Sequence, residues 1–326
     1  MNLVWKRRWG LSLLIAASMA VQAKDFTMAE IHPPTHPVVK SEELFASRVN
    51  QLTGGTIQIQ LKHSGQLGNE DQAWAGIKGN KIEVTRLSFA TLSKDVPAAS
   101  LLGLPYLFRS RDHMWRVMDG DFGKRIVSEV EKAGAIVLGY YDSGTRSFYM
   151  TKKPIRIRSD FTGQRIRVMG TPVFKDLITM LGATPVVMPF DKVAAAMANG
   201  EIDGAENNIP SYVSSGHHKV APYFSFDEHS SVPEVLLISK KAWDGLNDDQ
   251  KKAMRTAADE SVHLMKKLWA EAEARDMETA KKAGVTFIEK SQIGISGIEA
   301  FAIKVYSKHV TNVQDLDSVL KILNSE

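Results

Sequence analysis

The sequence predicts an α/β fold of two lobes sharing one long helix, and three observations carry that prediction. Short β-rich runs alternate with helical patterns along the chain after its first residues, the arrangement of α/β layers with largely parallel sheets. The alternation runs twice, once up to AIVLGYYDSG (135–144) and again from RIRVM (165–169). Finally, from Asp248 to Lys282 there is neither Pro nor Gly, a helix longer than globular proteins usually carry. Met254, Ala258, Val262, Met265 and Trp269 do not continue as an a/d heptad, so a coiled coil is disfavoured and a spine laid across two lobes is expected. Two lobes on one spine leave a cleft, the usual seat of a small ligand.

In chain order, FTMAEI (26–31) is a strand and Pro37 to Leu52 a helix. TIQIQL (56–61) alternates as a strand, residues 70–78 are helical, and KIEVTRLSFA (81–90) is a third strand. Helical patterns cover roughly 111–133 ahead of the strand at 135–144. In the second half, Pro172 opens a helix that stops at Leu181-Gly182, because Pro suits a first helical turn and Gly the position past the last. TPVVM (184–188) is a strand, Asp191 to Ala198 a helix, and EIDGAE (201–206) a strand entering Asn207-Asn208. Asn247 is placed to cap the long helix, with Asp248 and Asp249 at its positive end.

Lys6, Arg7 and Arg8, a short apolar core from Leu11 to Ala17 and small residues at Val21-Gln22-Ala23 predict a Sec-type signal peptide over 1–23, cleaved after Ala23. The product is expected in the periplasm and not embedded in the membrane. Lys plus Arg number 41 and Asp plus Glu 37, and the leader holds three of the basic residues and no acidic one, so the net charge falls from +4 to +1 on cleavage. That balance gives no argument for nucleic acid. The absence of cysteine excludes disulfides, thiolate catalysis and zinc–thiolate sites.

Nucleophilic and metal chemistry find little support. There is no G-x-S-x-G and no H-E-x-x-H. His32 and His36 bracket Pro33-Pro34, which forbids the helix that would align them, and adjacent His217-His218 would point apart in a strand. No catalytic residue, metal ligand or cofactor is assigned. What remains is a set of arginines on or just after strands: Arg86, Arg146 and Arg167. A guanidinium on an apolar strand is costly to bury unless paired, and its fork can grip a carboxylate through two parallel hydrogen bonds. For any one of them, pairing within the protein competes on equal terms with a ligand. In RIRV the alternation puts Arg165 and Arg167 on one face.

On SGQLGNE (64–70), LPYLF (104–108), GTRSFYMTKKPI (144–155), GQRIRVMG (163–170), LGATPVVMPFDKV (181–193), NGEIDGAENN (199–208) and LNDDQKKA (246–253), the chain resembles the extracytoplasmic solute-binding proteins of tripartite ATP-independent periplasmic (TRAP) transporters, the DctP-type family. The resemblance implies a type II-like, two-lobed periplasmic binding protein with central mixed sheets and a domain-spanning helix. Lobe I is expected over 24–145 plus 233–273, and lobe II over 146–232 plus 274–326. It implies Arg167 as the main salt bridge to a substrate carboxylate, Arg146 as a second arginine, Asn207 as a hydrogen-bonding residue, Phe190 as a packing surface and Glu70 as the acidic residue after Q-L-G. Asn208 departs from the family's pattern, where proline often follows E-N. Arg86 falls where members vary with substrate, and Glu30, His32 and Asp142 are candidate hydroxyl partners. The expected function is capture of a small organic acid, a sugar acid such as a hexuronate favoured, and delivery to TRAP membrane subunits by a monomer that is not an enzyme. The alternatives are a four-carbon dicarboxylate, with Arg86 on its second carboxylate, and a periplasmic sugar-acid lyase or isomerase.

Overall fold

The computed structural model describes residues 23–325; the expected signal peptide lies outside the described residues apart from Ala23. The strands are β1 (Lys24–Ala29), β2 (Ile57–Lys62), β3 (Val84–Ser88), β4 (Ala135–Tyr141), β5 (Arg146–Met150), β6 (Arg165–Val168), β7 (Thr184–Val187), β8 (Gly204–Asn207), β9 (Tyr223–Ser230), β10 (Glu234–Ser239) and β11 (Thr286–Ile288). They form a first sheet in the order β2-β1-β3-β10-β4 and a second in the order β11-β9-β5-β8-β6-β7.

Both sheets are mixed, as the resemblance implied, rather than largely parallel as the alternation alone suggests. The pairs β1–β2, β1–β3, β6–β7, β6–β8 and β9–β11 are parallel. β10 runs antiparallel to β3 and β4, and β5 runs antiparallel to β8 and β9. The antiparallel strands are those beside the crossings. The chain passes from the first sheet to the second between β4 and β5, and back between β9 and β10. A strand entering a sheet from its neighbour needs no helical return, so parallel pairing is not imposed on it.

One crossing rests on a glycine. Gly144, between β4 and β5, has φ +58, and a Cβ there would meet Glu273 Oε1 at 2.6 Å and Trp269 Nε1 at 2.9 Å. Both contacts come from the long helix, Asp248–Lys282, which is 35 residues long. Asn247 and Gln250 form a reciprocal capping box at its start, with Gln250 N donating to Asn247 Oδ1 at 2.8 Å and Asn247 N to Gln250 Oε1 at 3.2 Å. Its inward residues, Met254, Ala258, Met265 and Trp269, join the core of the first sheet, while Ala280 joins an apolar cluster of the second. It packs on the helix Pro37–Leu52 and β4 at one end and on the helix Ile209–Ser214 further on, which makes it the spine the sequence predicts. The C-terminal helix, Val313–Asn324, returns to the first sheet's side, where Asp315 pairs with Arg125 at 2.7 Å and Ile322 O accepts from His113 Nε2 at 3.0 Å.

Candidate ligand-binding cleft

A cavity of about 540 Å³ lies between the two sheets, within the usual range for a small-molecule site. Arg86, Glu70, Glu234 and His32 line it from the first sheet's side, and Arg167, Arg146, Asn207 and Phe190 from the second's.

The second side is built on three adjacent strands, β5, β8 and β6, which carry Arg146, Asn207 and Arg167. Arg146 is 7% exposed and is paired within the protein. Its Nε and Nη2 donate to the two carboxylate oxygens of Glu206 at 2.5 and 2.9 Å, and Nη1 donates to Asn207 Oδ1 at 2.9 Å. Burial opposes charge on both partners, but their attraction wins: Glu206 is held down to about 2, with His229 contributing, and Arg146 is pushed above its ordinary value. His229 extends the chain, with Nδ1 2.9 Å from Asp227 Oδ2. Burial lowers the His229 pKa, yet Asp227 and Glu206 outweigh it and raise it to about 9.

Arg167 differs. It is 5% exposed, and its Nε and Nη2 both donate to the carbonyl of Met188, at 3.1 and 2.9 Å. Among the described residues no carboxylate pairs with it. Burial lowers its pKa, Glu206 only partly offsetting that effect. Nη1 and one Nη2 hydrogen are left on the cavity wall. Phe190 covers the guanidinium, with its ring centroid 5.9 Å from the guanidinium carbon, and lies edge-on to His32 and His217 at 5.7 and 5.3 Å. Arg165, two residues earlier, is partly exposed and pairs with Asp203 at 3.0 Å.

Asn207 ends β8, and its Oδ1 accepts from Arg146 and from Asn208 N at 2.9 Å, which leaves its amide nitrogen without a hydrogen-bond partner among the described residues. Asn208, the departure from the family pattern, caps the helix Ile209–Ser214 by accepting from Ser211 N at 2.8 Å.

The first side is acidic. Arg86 is 1% exposed. Its Nε and Nη2 donate to Glu30 at 2.9 and 2.6 Å, Nη1 donates to Glu70 at 2.7 Å, and Glu234 lies at 3.2 Å. Burial would lower the Arg86 pKa, but Glu234, Glu30 and Glu70 hold it well above its usual value. Glu70 opens the helix Glu70–Lys78 and also accepts from Thr91 Oγ1 at 2.7 Å.

Three of the expected site residues are engaged within the protein. Arg86 is not free for a ligand carboxylate, because Glu30, Glu70 and Glu234 surround it. Glu30 does not line the cavity: it is held by Arg86 and by His32 Nδ1 at 2.6 Å. Asp142 does not line it either, and pairs with Arg111 at 3.1 Å while accepting from Gly144 N at 2.8 Å. His32 reaches the cavity stacked on His36, ring centroids 3.9 Å apart. Glu234, which the sequence analysis does not single out, also lines the cavity. The available signal was a carboxylate opening the apolar run EVLLIS, the same reasoning that selects arginines on apolar strands.

Two mixed α/β sheets, a shared helical spine and a cleft with a buried arginine at its wall define a two-lobed binding protein. The chain belongs to bacterial extracellular solute-binding protein family 7, DctP, whose family profile matches residues 28–312. Several relatives are similar over nearly the whole chain. A TRAP periplasmic solute-binding protein from Sulfitobacter sp. NAS-14.1, solved with bound β-D-galacturonate, is 35% identical with a TM-score of 0.90, covering 93% of this chain and 100% of that one. One from Chromohalobacter salexigens, solved with bound D-glucuronate, is 32% identical with a TM-score of 0.89, covering 92% and 100%. The 2,3-diketo-L-gulonate-binding periplasmic protein YiaO of Escherichia coli is 27% identical, covering 86% of this chain and 84% of that protein. Among the described residues no helix is long and apolar enough to cross a membrane.

Proposed function

We propose that this protein captures a sugar acid, a hexuronate such as galacturonate or glucuronate in the first instance, and delivers it to the membrane subunits of a TRAP transporter. The observation that carries the reading is Arg167: a buried guanidinium on the cavity wall with no carboxylate of its own. A ligand carboxylate completes it, taking the free Nη1/Nη2 edge. Asn207 offers its amide to the same end of the ligand, and Arg146, fixed by Glu206, supplies a rigid positive wall. In this reading lobe I is 24–145 plus 233–273 and lobe II is 146–232 plus 274–326, supported by the division of the strands between two sheets, although the C-terminal helix of the second stretch packs against the first sheet's side. Closure of the lobes removes water from the ion pair and strengthens it. Micromolar capture needs about −8 kcal/mol, which one bidentate pair with several satisfied hydrogen bonds can supply.

A four-carbon dicarboxylate fits less well. Its second carboxylate would approach Arg86, whose charge is already shared between Glu30 and Glu70. The protein is exported with its leader removed, acts as a monomer, and returns its ligand chemically unchanged. A thermal-shift screen over uronates, aldonates and dicarboxylates, followed by analysis of the recovered ligand, tests the reading. Stabilisation by uronates and recovery of intact ligand are expected. Stabilisation by dicarboxylates alone, or conversion of the ligand, contradicts it.

A further inference from the structure

Glu234 is a buried acid at the cavity that the protein leaves half-used. It is 8% exposed and opens β10, paired with Ser88 of β3 and Tyr141 of β4. Its Oε1 lies 3.2 Å from Arg86 Nη1. Its Oε2 is buried and has no hydrogen-bond partner among the described residues, although the residue lines the cavity. A buried carboxyl oxygen without a partner is costly, so a group from outside the protein is the natural candidate to satisfy it.

Building on the sugar-acid reading, we propose that Glu234 is a specificity-determining residue for the ligand's hydroxylated end, donating a hydrogen bond from Oε2 to a hydroxyl oxygen while Arg167 holds the carboxylate from the other side. Donation requires the neutral carboxyl, and the surroundings supply that form. Glu70 on its helix, Glu30 after β1 and Glu42 on the helix Pro37–Leu52 stand around it as acids. Arg86 on β3 and Arg146 on β5 are the facing cations, but each is already engaged by other carboxylates. Burial chiefly, with Glu70 and Glu30, raises Glu234 to about 8 against the pull of Arg86. The acid is therefore protonated at neutral pH and ionised at pH 9. A dehydrated hydroxyl recognised this way is separated from an analogue lacking it, because the buried donor would otherwise be left unpaired.

Calorimetric titration of D-galacturonate and D-glucuronate into the wild type, Glu234→Gln and Glu234→Leu, at pH 7 and pH 9, tests this. A cooperative ligand-free melt certifies the fold of each variant. Wild-type affinity is expected to weaken about tenfold from pH 7 to pH 9, as the proton is lost. The Gln variant, which keeps a donor that cannot ionise, is expected to change less than about twofold over the same interval. It retains His229, the other group titrating near there, so it isolates Glu234. Leu is expected to weaken binding at least tenfold at pH 7, and if it does not fold the Gln comparison decides alone. Equal pH dependence in wild type and Gln, or unchanged affinity in Leu, overturns the inference while leaving sugar-acid capture intact. A wild type that binds neither uronate overturns both.

Discussion

Arg146 and Glu206 form a closed pair inside the second sheet: Nε and Nη2 of the arginine meet both carboxylate oxygens at 2.5 and 2.9 Å, and a further Nη2 bond reaches the Glu206 carbonyl at 2.9 Å. Arg167, one strand beyond on β6, is met among the described residues by a backbone carbonyl alone. Two guanidiniums of similar burial therefore play different parts. One is paired into the wall, and the other keeps part of its guanidinium unpaired at the cavity.

Glu206→Gln should destabilise the ligand-free protein by about 3 to 5 kcal/mol, because it strands the buried charge of Arg146. Chemical denaturation without ligand reads the loss. A change below about 1 kcal/mol would mean that the pair contributes little to the fold.

Stability should depend on pH through the same network. His229 is raised to about 9 in the folded protein, so its contribution is complete below its unfolded value near 6.5 and disappears as pH rises through 9. Glu234, raised to about 8, acts in the same direction, its folded form favouring the proton. Glu206, lowered to about 2, contributes above its unfolded value near 4.5 and loses that contribution as pH falls toward 2. Calorimetric melts of the ligand-free protein should therefore peak at about pH 4.5, where the gain from Glu206 balances the loss from Glu234, and fall toward pH 9. His229→Gln should flatten the alkaline side, and a wild-type melting temperature that holds steady from pH 6 to 9 contradicts the assignment.

Phe190→Ala should weaken uronate binding by about 1 kcal/mol, roughly fivefold, through loss of ring packing over the clamp. Phe190 is only half-buried, so the ligand-free melting temperature should move little. Titration calorimetry beside a melt separates the two effects, and a large loss of stability with unchanged affinity would make Phe190 a core residue instead.

The parts legible in the sequence are those written locally. Alternation marked β1, β2, β3, β4, β6, β7 and β8, and the run without Pro or Gly marked the spine, because each pattern lies within a few turns of chain. β9 escaped because its polar residues face inward: Ser225, Asp227 and His229 are all buried, which inverts the usual pattern. β5 lies inside the motif GTRSFYMTKKPI without a strand pattern of its own, and its antiparallel pairing depends on partners far along the chain. The same distance hid the state of the arginines. Glu30 lies 56 residues from Arg86 and Glu206 lies 60 from Arg146, so nothing local distinguished a paired guanidinium from an open one. Glu234 was hidden in the same way, since its missing partner appears only once the two sheets face each other.

The central claim is that Arg167 grips a ligand carboxylate through its fork. Titration calorimetry of a uronate into the wild type and Arg167→Lys tests it most directly, because lysine keeps the charge and loses the two parallel donors. The account predicts affinity at least tenfold weaker in Arg167→Lys, about 1.4 kcal/mol, with a cooperative ligand-free melt retained. Equal affinity in the two proteins would contradict it.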